Sequence, residues 1–276
     1  ICPMSYKSIL VQLNAFAPSE ELTAAAVELA NRFGASLIGF SACNVRPILT
    51  APEGLTIAAE LFEQEREEIR QRIQSAETLF RKTASGVSHL EWRGYIGVPT
   101  SALVEQARVA DLIVTRSPDP AASDHDRNID IGQSVLEAGR PVLVAAAARK
   151  AVGECVLVAW KNVREARRAV VDALPFLVAA KEVRVATVAS GEILPVQAEV
   201  DDVVAMIARH GAKSVKGEVI SADDGDGGPI LDKARGMGAD LIVSGGYGHS
   251  RFREWIFCGV TRTLLEDRSI AKLMSY

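Results

Sequence analysis

The stretch with the clearest chemistry lies near the end of the chain, at residues 244–265, SGGYGHSRFREWIFCGVTRTLL. Three glycines and two arginines fall in its first half: Gly245, Gly246, Gly248, Arg251 and Arg253. Glycines can turn successive backbone N–H groups toward one point and so form an anion-binding concavity. Guanidinium groups match phosphate oxygens bidentately. The stretch therefore predicts a phosphate-binding loop; the alternative is a flexible surface loop with solvated arginines.

The residues after the glycines allow the same two interpretations. A helix that opens near Cys258 and Gly259 would direct its free N–H groups and its positive dipole end toward the loop. His249 is either a donor to phosphate or a solvent-facing loop residue. Cys258 is either a reactive thiol at the start of that helix or a small buried hydrophobe.

A strand must position this loop, and the chain contains the same apolar strand twice. The segment ADLIV at 110–114 recurs at 239–243, and the apolar starts 8–13 and 155–160 also correspond. Strands that alternate with helices in both halves predict parallel sheets with right-handed crossovers. We therefore predict two tandem doubly wound α/β domains, residues 1–148 and 149–276. Each should hold a parallel five-stranded sheet of Rossmann-like or flavodoxin-like order, flanked by helices.

The predicted elements follow the hydrophobic periodicity. In the first half the strands are 9–13, 37–42, 87–92, 112–115 and 142–146, and the helices are 22–33, 58–82 and 100–108. In the second half the strands are 156–160, 183–188, 214–220, 241–243 and 270–274, and the helices are 164–179, 196–210 and 229–237. Ligands of such sheets bind outside the carboxyl ends of the strands, where the strand order reverses. The apolar last strands predict that the two halves pair with each other along them.

Composition limits the class of protein. The net charge of −4 comes from interspersed acids and bases, so no basic face indicates a nucleic-acid partner. Charged residues interrupt every apolar run before the ~18 residues of a membrane span, so we expect no membrane partner. The four cysteines are scattered without a CxxC pair, which argues against a zinc site and a disulfide framework. We expect a cytoplasmic globular protein.

The glycine loop resembles the signature of the universal stress protein family, Gly-x2-Gly-x9-Gly-Ser/Thr, which cradles the nucleotide phosphates in the ATP-binding branch. Gly245 and Gly248 match its first part, and Val260 and Thr261 fit its continuation. The resemblance covers the whole chain, because each half has the family's size and element order. It implies a stress-response regulator that binds ATP, alone or with Mg²⁺, in its second domain. The nucleotide-binding residues so implied are Ala159, Trp160, Lys161, Val188, Ser244, Gly245, Gly246, Tyr247, Gly248, His249, Arg251, Cys258, Gly259, Val260 and Thr261.

The chain departs from the family pattern at several positions. Cys258 stands where the signature has glycine, and Gly259 where it has Ser or Thr. ATP-binding members carry Asp near the adenine at the end of the first strand; Asn14, which can still offer hydrogen bonds, and Lys161 occupy those places. The first half has no glycine loop, and its segment TRSPDP at 115–120 contains two prolines, which lack backbone donors. We therefore expect the first domain to be a degenerate structural partner.

No catalytic constellation stands out in the sequence. We find no nucleophile–base–acid set, no GxSxG elbow and no paired carboxylates near the predicted crevice, and no metal site. The first alternative to nucleotide binding is a ligand-free scaffold that supports a homodimer and binds a protein partner. The second is slow ATP hydrolysis or phosphate transfer.

Overall fold

The computed structural model describes residues 5–46, 55–117, 124, 126–146, 152–190, 193–222, 227–246 and 259–276, without the side chains of 55–58 and 259. The chain forms two compact units, residues 6–138 and residues 139–276. Both alternate strands with helices, which confirms the predicted α/β class. In the part of the chain described, no helix is long and apolar enough to cross a membrane.

The first unit contains four parallel strands and their crossover helices. The strands are β1 (Ser8–Gln12), β2 (Ser36–Cys43), β3 (Leu90–Ile96) and β4 (Leu112–Arg116), in the order β3-β2-β1-β4. The helices are α1 (Glu20–Phe33), α2 (Leu55–Thr83), α3 (Pro99–Gln106), which a 3-10 turn (Ala107–Val109) continues, and α4 (Ile131–Glu137). Strand β1 is apolar on both faces because helices cover both, and Ile9, Leu10 and Val11 are fully buried.

The second unit repeats this plan. Its strands are β5 (Val142–Ala145), β6 (Cys155–Ala159), β7 (Glu182–Ala189), β8 (Val215–Ser221), β9 (Leu241–Gly245) and β10 (Ala271–Ser275). Its helices are α5 (Arg164–Asp172), α6 (Leu174–Ala179), α7 (Ile193–Arg209), α8 (Gly228–Gly236) and α9 (Gly259–Glu266). The parallel strands run in the order β10-β9-β6-β7-β8, and β5 lies antiparallel along β10. Of the two predicted strand orders, this is the Rossmann-like one. The strand order reverses between β6 and β9.

The repeated Asp of the ADLIV segments has the same structural role in both units. Asp111 accepts hydrogen bonds from the backbone N–H groups of Lys7 and Ser8, at 2.8 and 3.0 Å. Asp240 accepts from the backbone N–H groups of Glu154 and Cys155, at 3.0 and 3.1 Å. Asp111 therefore links the start of β1 to β4, and Asp240 links the start of β6 to β9.

The structure corrects three predicted elements. The single helix predicted over 164–179 is two helices that meet at Ala173, since Pro175 has no N–H to continue the helical ladder. The strand predicted at 87–92 begins at Leu90, because Val87 is held in a turn by its N–H to the carbonyl of Ala84. Helix α4 was not predicted; its few apolar positions give too short a pattern.

Candidate functional site

The strand order reverses between β6 and β9 in the second unit, so their carboxyl ends form the ligand crevice expected of such sheets. Ala159 pairs with Ser244 in the β6–β9 register and marks this end. The predicted site residues around it differ in exposure. Trp160 and Ser244 are buried, Ala159 and Val188 are half-buried, and Lys161 is exposed.

The structure describes only part of the predicted loop. Tyr247, Gly248, His249, Arg251 and Cys258 lie outside the described residues, as does Arg253. Helix α9 begins at Gly259, close to the predicted start, and Thr261 in its first turn is buried. The first N–H groups of a helix have no intrahelical acceptor, so they can bind an anion.

Two of the loop glycines have structural roles. A Cβ on Gly245 would come within 2.6 Å of the backbone nitrogen of Ala166 and 2.7 Å of the carbonyl carbon of Glu165. Glycine therefore allows helix α5 to approach the end of β9. The N–H of Gly246 donates to the carbonyl of Ser275 at 2.8 Å, so it extends the ladder with β10 and does not face an anion. Backbone donors for phosphate must then come from residues beyond 246 and from the start of α9.

Buried polar atoms without partners collect at this end of the sheet. The indole nitrogen of Trp160 and the hydroxyl of Ser244 have no hydrogen-bond partner among the described residues. The hydroxyl of Ser275, at the end of β10, is in the same state. A buried polar group without a partner costs about 1–3 kcal/mol, so a water or a ligand that bound these atoms would be stabilised. Trp160 and Ser244 are among the nucleotide-binding residues that the family resemblance implies, whereas Ser275 is not.

The equivalent position of the first unit explains why Ser244 is without a partner. By the internal repeat, Thr115 corresponds to Ser244, and Gln12 corresponds to Ala159. In the first unit the buried hydroxyl of Thr115 donates to the side-chain oxygen of Gln12 at 2.8 Å. In the second unit Ala159 has no polar side-chain atom, so the equivalent hydroxyl is left for another group to bind.

Buried charges anchor the far end of helix α9. Asp267 follows the helix and lies 3.0 Å from the Nζ of Lys272 on β10 and 2.7 Å from Arg235 on α8. Burial disfavours the ionised form of Asp267, but the hydrogen bonds from Arg235 and Lys272 outweigh it and hold the pKa of this carboxyl well below its usual value. Burial also lowers the pKa of the Lys272 ammonium, and Asp267 only partly offsets this.

The first unit has its own crevice, a cavity of about 440 Å³ at the carboxyl ends of β1 and β4. Asn14, beside it, is fully hydrogen-bonded. Its side-chain oxygen accepts from the N–H groups of Phe16 and Ala17 at 2.7 and 3.2 Å. Its side-chain nitrogen donates to the carbonyl of Arg127 at 3.0 Å and to the side-chain oxygen of Asn128 at 2.8 Å. An amide side chain has two donors and two main acceptor positions, and all four are in use here. The expectation that Asn14 could still offer a hydrogen bond to a nucleotide is therefore wrong.

The helix that follows this crevice is closed to phosphate. Asp130 is the N-cap of α4, and its carboxylate accepts from the N–H of Gln133 at 2.9 Å. The carboxylate of Asp130 thus occupies the N-terminal end of α4, which corresponds to the start of α9 in the second unit. This geometry accounts for the expected loss of a phosphate site in the first half.

Comparison with known proteins gives solved structures only, since no protein-family model and no curated protein matches the chain. A universal stress protein from Archaeoglobus fulgidus DSM 4304 is 18% identical, with a TM-score of 0.62 over 97% of this chain and 95% of that chain. A protein assigned to the same group from Pseudomonas aeruginosa UCBPP-PA14 is 17% identical, with a TM-score of 0.56 over 98% and 93%. A functionally unknown protein from Pseudomonas aeruginosa PAO1 is 17% identical, with a TM-score of 0.54 over 98% and 92%. The chain therefore has the fold of the universal stress proteins over nearly its whole length.

Proposed function

We propose that this protein is a cytoplasmic universal stress protein that binds ATP, alone or with Mg²⁺, in the crevice of its second unit. Binding is regulatory: the nucleotide state of the crevice is the signal, and no reaction on the nucleotide is required. The first unit is the partner domain, and the nucleotide is not its ligand.

The observation that carries the proposal is the unpartnered hydroxyl of Ser244 at the reversal of strand order. The first unit satisfies the corresponding hydroxyl with Gln12, whereas Ala159 cannot, and Ser244 has no other partner among the described residues. The unpartnered indole N–H of Trp160 at the end of β6 supplies a second group of the same kind. A ligand that presents acceptors and donors at this end of the sheet, as ribose and adenine do, would relieve the cost of both.

The charges at the crevice fit a polyphosphate. The start of α9 offers free N–H groups, and Lys161 is exposed at the end of β6 without a side-chain partner among the described residues. Gly259 lacks the hydroxyl that the family signature provides, a loss of about one to two decades in affinity if that hydroxyl met a charged phosphate. We therefore expect weak rather than tight binding.

The described residues of the crevice support binding rather than hydrolysis. None of the predicted site residues that the structure describes is a histidine or a carboxylate, the usual bases that activate water. We therefore propose binding without a reaction on the nucleotide; His249, a predicted site residue, lies outside the described residues.

A second candidate function is a ligand-free scaffold, and one observation favours it. Gly245 is required for the approach of α5, and the N–H of Gly246 serves the ladder with β10. The first two glycines of the loop are therefore explained by packing alone.

The test is titration calorimetry on protein freed of bound nucleotide, with ATP added in the presence and absence of magnesium. The informative variant is Ala159→Gln, which gives Ser244 the partner that Gln12 gives Thr115. We expect measurable ATP binding to the unaltered protein and at least a tenfold loss in the variant. Its matched control is Gln12→Ala in the first unit, which should leave ATP affinity unchanged.

Absence of heat for ATP under both conditions would contradict the proposal and support the scaffold. ATP binding that Ala159→Gln does not weaken would place the nucleotide away from Ser244. Loss of binding in Gly248→Val, but not in Gly86→Val, would assign the phosphates to the glycine loop. At Gly86 an added Cβ meets no atom within 4 Å.

A further inference from the structure

We propose that the crevice of the first unit is a separate binding site for a small organic carboxylate. The cavity measures about 440 Å³, within the size range of small-molecule sites. It lies wholly within residues 6–138, and its ligand is of a different class from a nucleoside triphosphate. The site is independent of the proposed function of the second unit.

The first recognition group is Arg127, whose guanidinium lies over an aromatic ring. Its Cζ is 3.9 Å from the ring centroid of Phe16. The nearest carboxylates are those of Asp124 and Glu65, at 3.6 and 4.0 Å, too far for hydrogen bonds. Contact with the ring thus holds the guanidinium in place, while its N–H donors make no hydrogen bond within the described part of the chain. A fixed fork of unused donors is suited to bidentate binding of a carboxylate.

The second recognition group is Arg116, at the end of β4. Its Nη2 donates to Glu21 at 2.9 Å, whereas its Nε is buried and has no partner among the described residues. By the internal repeat Arg116 stands at the position of Gly245, so the first unit has a cation where the second has no side chain. The unpartnered N–H on a charged group makes an anion the fitting ligand.

The charge of the lining favours a monoanion over a polyphosphate. The cavity is lined by the guanidinium groups of Arg116 and Arg127 and by the carboxylate of Asp124, and Arg116 is also paired with Glu21 at 2.9 Å. Asp124 itself accepts a hydrogen bond from Arg46, which lowers the pKa of its carboxyl and keeps it charged. A triphosphate would meet this carboxylate as well as Asp130, which closes the start of α4. A single carboxylate brings less negative charge to Asp124 than a triphosphate does.

The rest of the lining suits an apolar body. Leu13, Leu22 and Ile129 contribute aliphatic side chains to the same cavity. A carboxylate that carries a flat or aliphatic group can thus place its charge on the arginines and its body on these side chains. This distinguishes the expected ligand from free phosphate, which has no apolar part.

The test uses the full chain and benzoate as the probe, with benzamide as its uncharged analogue. Titration by ¹H–¹⁵N NMR should shift the Nε–H signal of Arg116 with benzoate, at a dissociation constant of about 1 mM or tighter. Benzamide should bind at least tenfold more weakly. Inorganic phosphate and ATP are titrated in parallel.

Substitutions assign the site. Arg127→Ala should weaken benzoate binding at least tenfold, and Arg127→Lys, which keeps the charge but not the fork, should weaken it severalfold. The matched control is Arg81→Ala on α2, an exposed arginine paired with Glu77 at 2.7 Å, which should have no effect. If Arg127→Ala does not unfold cooperatively, Arg116→Ala takes its place.

The proposal would be overturned if benzoate and benzamide bound equally well. It would also be overturned if neither Arg127→Ala nor Arg116→Ala changed the affinity for benzoate. Tighter binding of phosphate or ATP than of benzoate, with the same dependence on Arg127, would overturn the carboxylate assignment. Calorimetry on Ala159→Gln reports only on the second unit, so the failure of one proposal does not imply the failure of the other.

Discussion

At the scale of residues, the two crevices differ because the duplication placed different side chains at corresponding positions. The side chain of Gln12 accepts a hydrogen bond from Thr115, whereas Ala159 offers none to Ser244, which has no partner in the part of the chain described. Asn14 uses its four hydrogen bonds within the protein, two of them to residues 127–128, whereas the corresponding Lys161 is exposed. A few substitutions at the ends of the strands are thus sufficient to give one fold two chemically distinct crevices.

The charged cluster beyond α9 gives a prediction for pH dependence. Because the pKa of Asp267 is lowered in the folded protein, its contribution to stability is present above the ordinary carboxyl pKa and is lost as the pH falls below about 4. Asp267→Asn should lower the free energy of unfolding at pH 7 by about 2–3 kcal/mol, because hydrogen bonds to a buried charged group are lost. The difference between the two proteins should shrink between about pH 5 and pH 2. Urea unfolding at several pH values measures it.

The control for this prediction is Glu266→Gln. Glu266 is the neighbouring residue, it is exposed, and its ion pair is with the exposed Arg262. Exposed pairs contribute about 0–1 kcal/mol, so this variant should follow the unaltered protein at every pH. A stability difference for Asp267→Asn that stays constant from pH 7 to the acid limit would contradict the assignment.

At the scale of elements, the position of helix α5 against the sheet depends on the end of β9. The helix N-terminus approaches Gly245 so closely that a Cβ would meet its backbone. Helix α5 then ends at Asp172, and α6 continues after Ala173 with a different start. Helix α5 is thus positioned over β9 and β10 by its close contact with Gly245 at its N-terminus and by its end at Asp172.

Gly245→Ala should therefore destabilise the second unit. The added Cβ would lie 2.6 Å from the Ala166 nitrogen, so α5 must shift, at a cost of about 1–3 kcal/mol in the free energy of unfolding. The matched control is Gly236→Ala in α8, where a Cβ meets no atom within 4 Å. It should be neutral or stabilising by up to about 1 kcal/mol, since alanine favours a helix. Unfolding of Gly245→Ala at the same urea concentration as the unaltered protein would show that α5 does not need the glycine.

At the scale of the whole molecule, the sequence repeat and the compact units do not share a boundary. Strand β5 precedes the predicted boundary at residue 148, yet it pairs antiparallel with β10 within the unit 139–276. Its Leu143 faces Leu273 in the register, and both are buried. The last strand of the first sequence half, β5, and the last strand of the second, β10, thus pair with each other.

A fragment that follows the sequence boundary should be less stable than one that follows the compact unit. Fragment 149–276 lacks β5, so β10 becomes an unpaired edge and the fragment should self-associate. The free energy of unfolding of fragment 139–276 should be higher by several kcal/mol, so it should unfold at a higher urea concentration. The reason is that Val142, Leu143 and Val144 are buried, and such side chains contribute about 1.5–3 kcal/mol each. Light scattering and urea unfolding of both fragments measure this. Equal stability and a monomeric state for both would show that β5 adds little to the unit.

The sequence by itself determined the fold class, the internal repeat and most of the elements. Fully apolar strands and amphipathic helices have periods that local residue type fixes, and the repeated Asp of ADLIV recurs because each unit needs the same fastening. Only the tertiary structure decided which polar groups find partners. Ser244 and Arg116 depend on what lies across from them on another strand, and the N–H of Gly246 faces the carbonyl of Ser275, far along the chain. Such pairings are set by strand register and helix approach, so composition and spacing could indicate a crevice in the second half but not the second cavity lined by Arg116 and Arg127 in the first.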